Sequence, residues 1–311
     1  DFNGPSLMGG IFGAKLVNTL GEDILAKHKI RGYRAAVTAM YEEIREGRGP
    51  IFFDFTHKSE KEIQDAEGAL FTVERPTEER FLKGRGIDLR REPVEAWLSE
   101  TSHCSGHGLS GLVVDKNAKT TVNGLYAAGD VAAVPYQMLT GAFVFGAIGG
   151  RNAALYAKKV TEPKVDKETV EGERRRVFAP LEREKGLGVS EFEFKVRRII
   201  DDYLSPPKNE AKLRMALSWI ARLRNDVDRL KVEDYHELGR ALEIQFILDC
   251  AEITALASIT RKESRWGIIH QRSDYPERDD ENWLKHVIVR RSPEKREIQV
   301  STRPVELKWR F

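Results

Sequence analysis

The sequence predicts an α/β unit followed by an α-helical one, on three observations. A short apolar run, Gly124-Leu125-Tyr126-Ala127-Ala128, ends in Gly129-Asp130 and leads through a loop into a helix over 140–158 crowded with glycine and alanine. Residues 209–223 and 238–260 carry apolar side chains at three-to-four spacing, as core-facing helices do. Residues 1–100 mix helical pattern with short strands such as 51–55 (I-F-F-D-F), an α+β arrangement.

The run 124–128 lies between turn residues and reads as a strand buried on both faces. Leu112-Val113-Val114-Asp115 reads as a second strand beside it. Gly129 permits close approach to the backbone, and Asp130 stands at the strand's C-terminal edge, where α/β sheets bind ligands. Its carboxylate can accept hydrogen bonds from ribityl or ribose hydroxyls. Taken alone, Gly-Asp is a common turn.

The helix adds the stronger signal. Thr140 is positioned to cap it, and Gly141, Gly146, Gly149 and Gly150 follow within one short stretch. Each interior glycine costs about 1 kcal/mol relative to alanine, so four of them call for close approach by a ligand or another backbone. The helix N-terminus presents unpaired N–H groups and a positive partial charge, suited to the pyrimidine end of a flavin. Leu139, Thr140, Gly141, Ala142 and Phe143, with Gly129 and Asp130, are the expected cofactor contacts, and FAD the expected cofactor.

Further along, 161–176 is a charged connection, Pro206-Pro207 marks a turn, and 286–303 alternates as a hairpin through Val287, Val289, Ile298 and Val300. Helix 238–260 is expected to bury Leu242, Phe246, Ile247, Cys250 and Ile253 as ordinary core. Asp279 is a candidate cap for the segment carrying Trp283.

Composition excludes several classes. Lys+Arg of 51 against Asp+Glu of 49 leaves +2, which argues against a dedicated nucleic-acid binder. No apolar run approaches the ~20 residues of a membrane span, and no signal peptide is expected. Two cysteines, Cys104 and Cys250, exclude a disulfide framework and an iron–sulfur site ligated wholly by this chain's cysteines. The expected setting is cytoplasmic, with the inner face of a membrane reachable through partner subunits.

Three stretches resemble the succinate dehydrogenase/fumarate reductase flavoprotein family: 120–157; G-Y-R-A-A-V-T-A-M-Y-E-E-I-R-E-G-R-G-P-I at 32–51; and R-K-E-S-R-W-G-I-I-H-Q-R-S-D-Y-P-E-R-D-D-E-N-W-L-K-H at 261–286. The resemblance implies a partial FAD-binding Rossmann-like domain, an α+β capping domain and a C-terminal helical domain. The implied bounds are 1–100 capping, 101–158 returning FAD-binding, 159–285 helical and 286–311 a β-hairpin and tail. The family's opening G-x-G-x-x-G unit, which holds the ADP half of FAD, has no counterpart here. The expectation is therefore a C-terminal portion, with the N-terminal FAD-binding half supplied elsewhere.

The family places a substrate-facing histidine in a glycine-rich turn, which maps to 102–111 (S-H-C-S-G-H-G-L-S-G). His107 is the first candidate and His103 the second, each a donor to an anionic oxygen or a proton source. Succinate and fumarate enzymes carry an arginine in N-R-L-G before the glycine-rich helix, and another in C-R-G-E-G-G. Here the matching stretches are 135–141 (P-Y-Q-M-L-T-G) and 4–10 (G-P-S-L-M-G-G), without arginine, which argues against fumarate as substrate. The 140–151 stretch and Ser264-Arg265-Trp266 resemble the adenylylsulfate reductase alpha branch instead. Arg265 is a third catalytic candidate, weighed against a structural ion pair with Glu263 or Asp274; Arg48 is read as shaping its turn. The implied whole is a flavin subunit exchanging electrons between a small anionic substrate and a ferredoxin-like iron–sulfur partner. Its rivals are a catalytically inactive scaffold in an electron-transfer complex and a non-flavin α/β binding protein.

Overall fold

The computed structural model describes residues 13–29, 33–74, 76–96, 110–134, 139–161, 164–265, 270–292 and 298–305. The chain forms two compact units divided between Ser105 and Gly106.

The first unit is α+β. Strands β1 (Lys15–Val17), β2 (Ile51–Asp54) and β3 (Val94–Ala96) form an antiparallel sheet in that order, with Leu16 opposite Phe53 and Ile51 opposite Ala96. Alternation along β2 buries Ile51 and Phe53, the period-two pattern of a sheet with one covered face. Helices Tyr33–Arg45, Glu60–Ala69 and Pro76–Arg85 belong to the same unit, and its core includes Met40, Ile63, Leu70 and Leu82. The second of these helices starts at a capping box, in which Ser59 and Glu62 satisfy each other's backbone N–H groups.

One buried carboxylate ties this unit's loops together. Glu43 accepts from Asn18 Nδ2 at 2.8 Å and from Arg48 Nε, lies 2.7 Å from His28 Nε2, and pairs with Lys27 at 3.2 Å. The Arg48 guanidinium, then His28, Asn18 and Lys27, outweigh burial and hold its carboxyl well below the usual range. Arg48 is thereby bound to the helix that precedes its turn.

The second unit contains residues 110–161, the helical region and a hairpin. Helices Lys167–Glu182, Val189–Leu204, Glu210–Val227 and Tyr235–Thr260 contribute to one core that includes Val196, Leu213, Ile220, Ile244 and Leu248. Asn209 and Asp234 cap the last two by accepting from Lys212 N and Glu237 N. Two short strands, β4 (Leu187–Gly188) and β5 (Leu230–Lys231), pair in parallel. The predicted hairpin is β6 (Lys285–Arg291) with β7 (Ile298–Pro304), Val289 opposite Val300. Asp279 caps the short helix Asp280–Trp283 by accepting from Asn282 N at 2.9 Å.

Three expectations are corrected. The strands at 112–115 and 125–128 reduce to isolated bridges, Leu112 with Ala132 and Lys119 with Tyr126. A ladder needs a neighbour along its length, and here each neighbour is brief: Leu112 meets 131–133, and 118–120 meet 125–127. The glycine-rich helix begins at Leu139, so Thr140 lies in its first turn rather than capping it. In helix Tyr235–Thr260, Phe246, Cys250 and Ile253 are exposed. The core side is Leu238, Ala241, Ile244, Leu248, Ala251 and Ala255, a face rotated from the one expected.

Candidate functional site

The candidate site is the bend at 129–131 and the helix it meets. Ala127 and Ala132 are buried on either side of the bend, and Gly129 takes φ +71°, a left-handed conformation that L-residues rarely adopt. The turn closes as Ala132 N donates to Gly129 O at 3.0 Å. This leaves Asp130 exposed at the outside of the bend.

A second segment runs against this bend. Leu112 N donates to Val131 O at 2.7 Å, and Ala133 N donates to Leu112 O at 3.0 Å. Gly111, at φ +148°, precedes them. A Cβ there would lie 2.6 Å from Ala132 C and Ala133 N, so only glycine fits. The sequence pointed to Gly111 as the end of the glycine-rich turn; its contact with 132–133 was not legible.

The helix Leu139–Ala157 packs on the bend through its first turn, with Ala142 Cβ 3.9 Å from where a Gly129 Cβ would stand. Farther along, Gly149 admits Ala118 Cβ, and Tyr156 meets Tyr126 edge-on at 6.5 Å between ring centroids. Gly149 therefore serves packing, as the tight-packing reading of these glycines required. Gly146 and Gly150 have nothing beside them among the described residues. The start of the helix surface is apolar and open among the described residues: Leu139 is 72% and Phe143 74% exposed, with Val144 exposed too. The expected contacts Gly129, Asp130, Leu139, Thr140, Gly141, Ala142 and Phe143 thus gather at one bend and one helix start. His103 and His107, with residues 135–138, lie outside the described residues.

Arg265 sits elsewhere in the second unit, 7% exposed. Its Nε and Nη2 donate to Glu263 Oε1 and Oε2 at 2.7 and 2.9 Å, and Nη2 also donates to Asp280 Oδ1 at 2.7 Å. Glu263, fully buried, also accepts from Arg261 and from Asp279 N. Burial opposes its charge, but donation from Arg265, Asp279 N and Arg261 keeps its pKa below the usual carboxylate value. Asp274, the other expected partner of Arg265, pairs instead with Arg272 at 2.7 and 2.6 Å. Glu263 was expected as a partner of Arg265, but buried Arg272 and Lys208 were not singled out from the sequence. A signal was present in the alternation of arginine and acid at 261–265 and 272–274.

Two family models match the chain: an FAD binding domain over residues 11–143 and a fumarate reductase flavoprotein C-terminal domain over 194–310. In both stretches the chain is similar to flavoproteins of the succinate dehydrogenase/fumarate reductase family. An uncharacterized FAD-dependent oxidoreductase of Methanocaldococcus jannaschii is 28% identical to this flavoprotein chain, over 81% of the chain and 45% of the relative. The succinate dehydrogenase flavoprotein subunit of Rickettsia conorii is 27% identical, over 89% of the chain and 50% of the relative. The flavoprotein chain thus spans about half the length of these relatives.

Among solved structures, the fold is shared with an adenosine-5-phosphosulfate reductase in complex with sulfite. Its TM-score is 0.78 at 23% identity, covering 98% of this chain and 57% of that one. The quinol fumarate reductase of E. coli gives TM-score 0.76 at 20% identity, covering 95% and 55%. FAD is the cofactor of this flavoprotein family, and the residues here fit it. Gly129 and Gly111 hold backbone close, Asp130 faces outward as an acceptor, and the adjoining helix start is apolar and small. Among the described residues no helix is long and apolar enough to cross a membrane.

Proposed function

We propose that this chain supplies the ring-and-ribityl side of an FAD site in an oxidoreductase acting on a small anionic substrate. The observation that carries the reading is the Gly129–Asp130 bend packed on the first turn of an exposed, glycine-rich helix. Bound there, FAD would supply two-electron hydride chemistry.

The chain's own residues account for the rest. Asp130 accepts from the flavin's ribityl hydroxyls. The N–H groups of the first helical turn, Leu139, Thr140 and Gly141, with the positive helix end, stabilise negative charge set beside them. Leu139 and Phe143 exclude water from that end. His107, with His103 second, donates to an anionic substrate oxygen or delivers a proton. Arg265 acts as a positioning residue, because its donors already engage Glu263 and Asp280. The ADP end of FAD is held by polypeptide beyond these 311 residues. Electrons pass to or from a ferredoxin-like iron–sulfur partner, as in an adenylylsulfate-reductase-like alpha subunit. The absence of arginine from 135–141 and 4–10 makes fumarate itself a poor substrate.

A visible spectrum of the purified whole protein tests this. Flavin bands that weaken in Asp130→Ala, and turnover lost in His107→Ala with the bands retained, are expected. A colourless protein that gains no flavin on reconstitution overturns the reading. A catalytically inactive scaffold is the second reading, favoured by the same missing arginines. It predicts flavin bands that no small oxyanion or dicarboxylate reoxidises.

A further inference from the structure

The hairpin β6–β7 has two unlike faces. Cross-strand partners share a face, so Val287, Val289, Ile298 and Val300 lie on one side and His286, Ile288, Arg290, Gln299, Ser301 and Arg303 on the other. The first side is apolar and half-buried, and Arg291 on it reaches Glu252 of helix Tyr235–Thr260 at 3.5 Å. On the second side Arg290, Gln299, Ser301 and Arg303 are exposed. That side contains no carboxylate of its own.

Arginines elsewhere in this unit are paired: Arg224 with Asp249 and Glu252, Arg240 with Glu193, Arg265 with Glu263, Arg272 with Asp274. Among the described residues no carboxylate pairs with Arg290 or Arg303. His286 stands directly opposite Arg303. Partial burial, then the charges of Arg303 and Arg261, hold its pKa below the ordinary value. Above pH 7 it is therefore neutral, and the two arginines carry the charge of this face.

The backbone beside this face is open. Val305 N donates to Leu284 O at 3.2 Å, just past the end of the ladder. Bonded and non-bonded pairs alternate in an antiparallel ladder, so His286–Arg303, Ile288–Ser301 and Arg290–Gln299 are the bonded pairs. Pro304, which has no N–H, falls at a non-bonded position, as this phase requires. The amides of Ile298, Val300 and Thr302 then turn outward, and among the described residues no third strand meets them. The outer edge of β6 is partly occupied, because Lys285 O accepts from Arg261. The freer edge is β7.

We propose that an extended acidic segment of a partner polypeptide docks here as a third strand along β7. Its backbone pairs with Ile298, Val300 and Thr302, and its carboxylates, at alternate positions, face Arg303 and Arg290. Arg303 meets a carboxylate across the new ladder, and Arg290 reaches over Gln299 to another farther along the same face. Charge selects this occupant over a second copy of the chain, since two such edges would set arginine-bearing, acid-free faces side by side. The surface stands apart from the flavin reading.

The test titrates the purified whole protein into a short fluorescein-labelled peptide that alternates glutamate with valine, read by fluorescence anisotropy. Saturable binding at one site is expected, weakened by added salt. Arg303→Gln and Arg290→Gln should each weaken it about fivefold, the scale of one exposed ion pair. Both side chains are exposed, so both variants should fold as the parent does. A peptide with lysine in place of glutamate should not bind. N-methylation of the peptide's ladder-facing amides should abolish binding with its charge unchanged. Equal binding of the methylated peptide would leave only a charged patch and overturn the proposal, as would binding unaltered by either arginine variant. A peptide-independent dimer on gel filtration that Arg303→Glu dissociates would assign the edge to a second copy and also overturn it. No arm depends on bound flavin, so failure here leaves the proposed function standing.

Discussion

Two apolar helices of the second unit differ in what covers them. Helix Tyr235–Thr260 buries Leu238, Ala241, Ile244, Leu248, Ala251, Ala255 and Ser258 along one face, against helices of its own region. Helix Leu139–Ala157 is more uniformly apolar, yet the described structure buries only Gly141 and Gly149 in it. The first helix sets Leu238, Ile244 and Leu248 between alanines at three-to-four spacing and packs that face into a core with neighbouring helices. The second spaces small residues and leaves Leu139, Phe143 and Val144 open. Small residues at close-approach positions gain nothing from water, but they admit a flat ligand or another backbone. The contrast teaches that apolar character alone does not mark a core helix; a face at three-to-four spacing met by neighbouring helices does.

The largest expected effect would test whether the helical region stands on its own interactions. Glu263→Gln leaves Arg265 and Arg261 without their buried carboxylate and should cost about 3–5 kcal/mol. A denaturant midpoint unchanged in that variant would show the ion-pair cluster to be dispensable.

The sharpest test of the contrast pairs two truncations. Ile244→Ala should lose about 2–5 kcal/mol by leaving a cavity in a fully buried site. Phe143→Ala should stay within about 0.5 kcal/mol, because the side chain is exposed, while reducing flavin retention. The reverse order in thermal melts would break the comparison.

The pH dependence has a defined sign in the helical region. Burial, then the charges of Lys208 and Arg261, lower His270 to about 3, so the unfolded chain takes up its proton near pH 6.5 and the folded one does not. Stability should therefore fall as pH drops from about 6.5 toward 3. Burial, then Arg272, lowers Lys208 to about 8, and the unfolded chain keeps that proton to about 10.5. Its contribution should therefore rise between pH 8 and 10.5, and Lys208→Met should remove that rise. Melts at matched ionic strength check both limbs.

A smaller effect is expected at the flavin side. Gly111→Ala places a Cβ against the 132–133 backbone at a positive φ and should cost about 1–3 kcal/mol. Hydrogen exchange at Leu112 and Ala133 should report it, with the helical amides unchanged.

Local chemistry was legible where one residue decides it. Asp279 caps the short helix that follows it, as its position before Trp283 suggests. Alternation through Val289 and Val300 gives a hairpin, because period two permits no other regular structure. Gly129-Asp130 forms a tight bend, and Pro206-Pro207 interrupts the helices around it. The extended segments 112–115 and 125–128 were over-read as strands, since strandedness depends on a neighbour that local sequence does not name. Phe246 and Ile253 were over-read as core because a helix apolar on more than one face does not announce which face is covered.

The sequence by itself determined the family likeness, the Gly129-Asp130 bend ahead of a glycine-rich helix and the departure from an arginine clamp, for these are properties of residue identity and spacing. Tertiary structure alone decided three things. Among the described residues, Gly149 serves packing while Gly146 meets nothing, Arg265 is committed to Glu263 and Asp280, and Lys208 is buried beside Arg272 without a carboxylate of its own. Each depends on groups brought together from separate segments. Burial and electrostatic pairing are sums over neighbours in space, and no local stretch of sequence contains them.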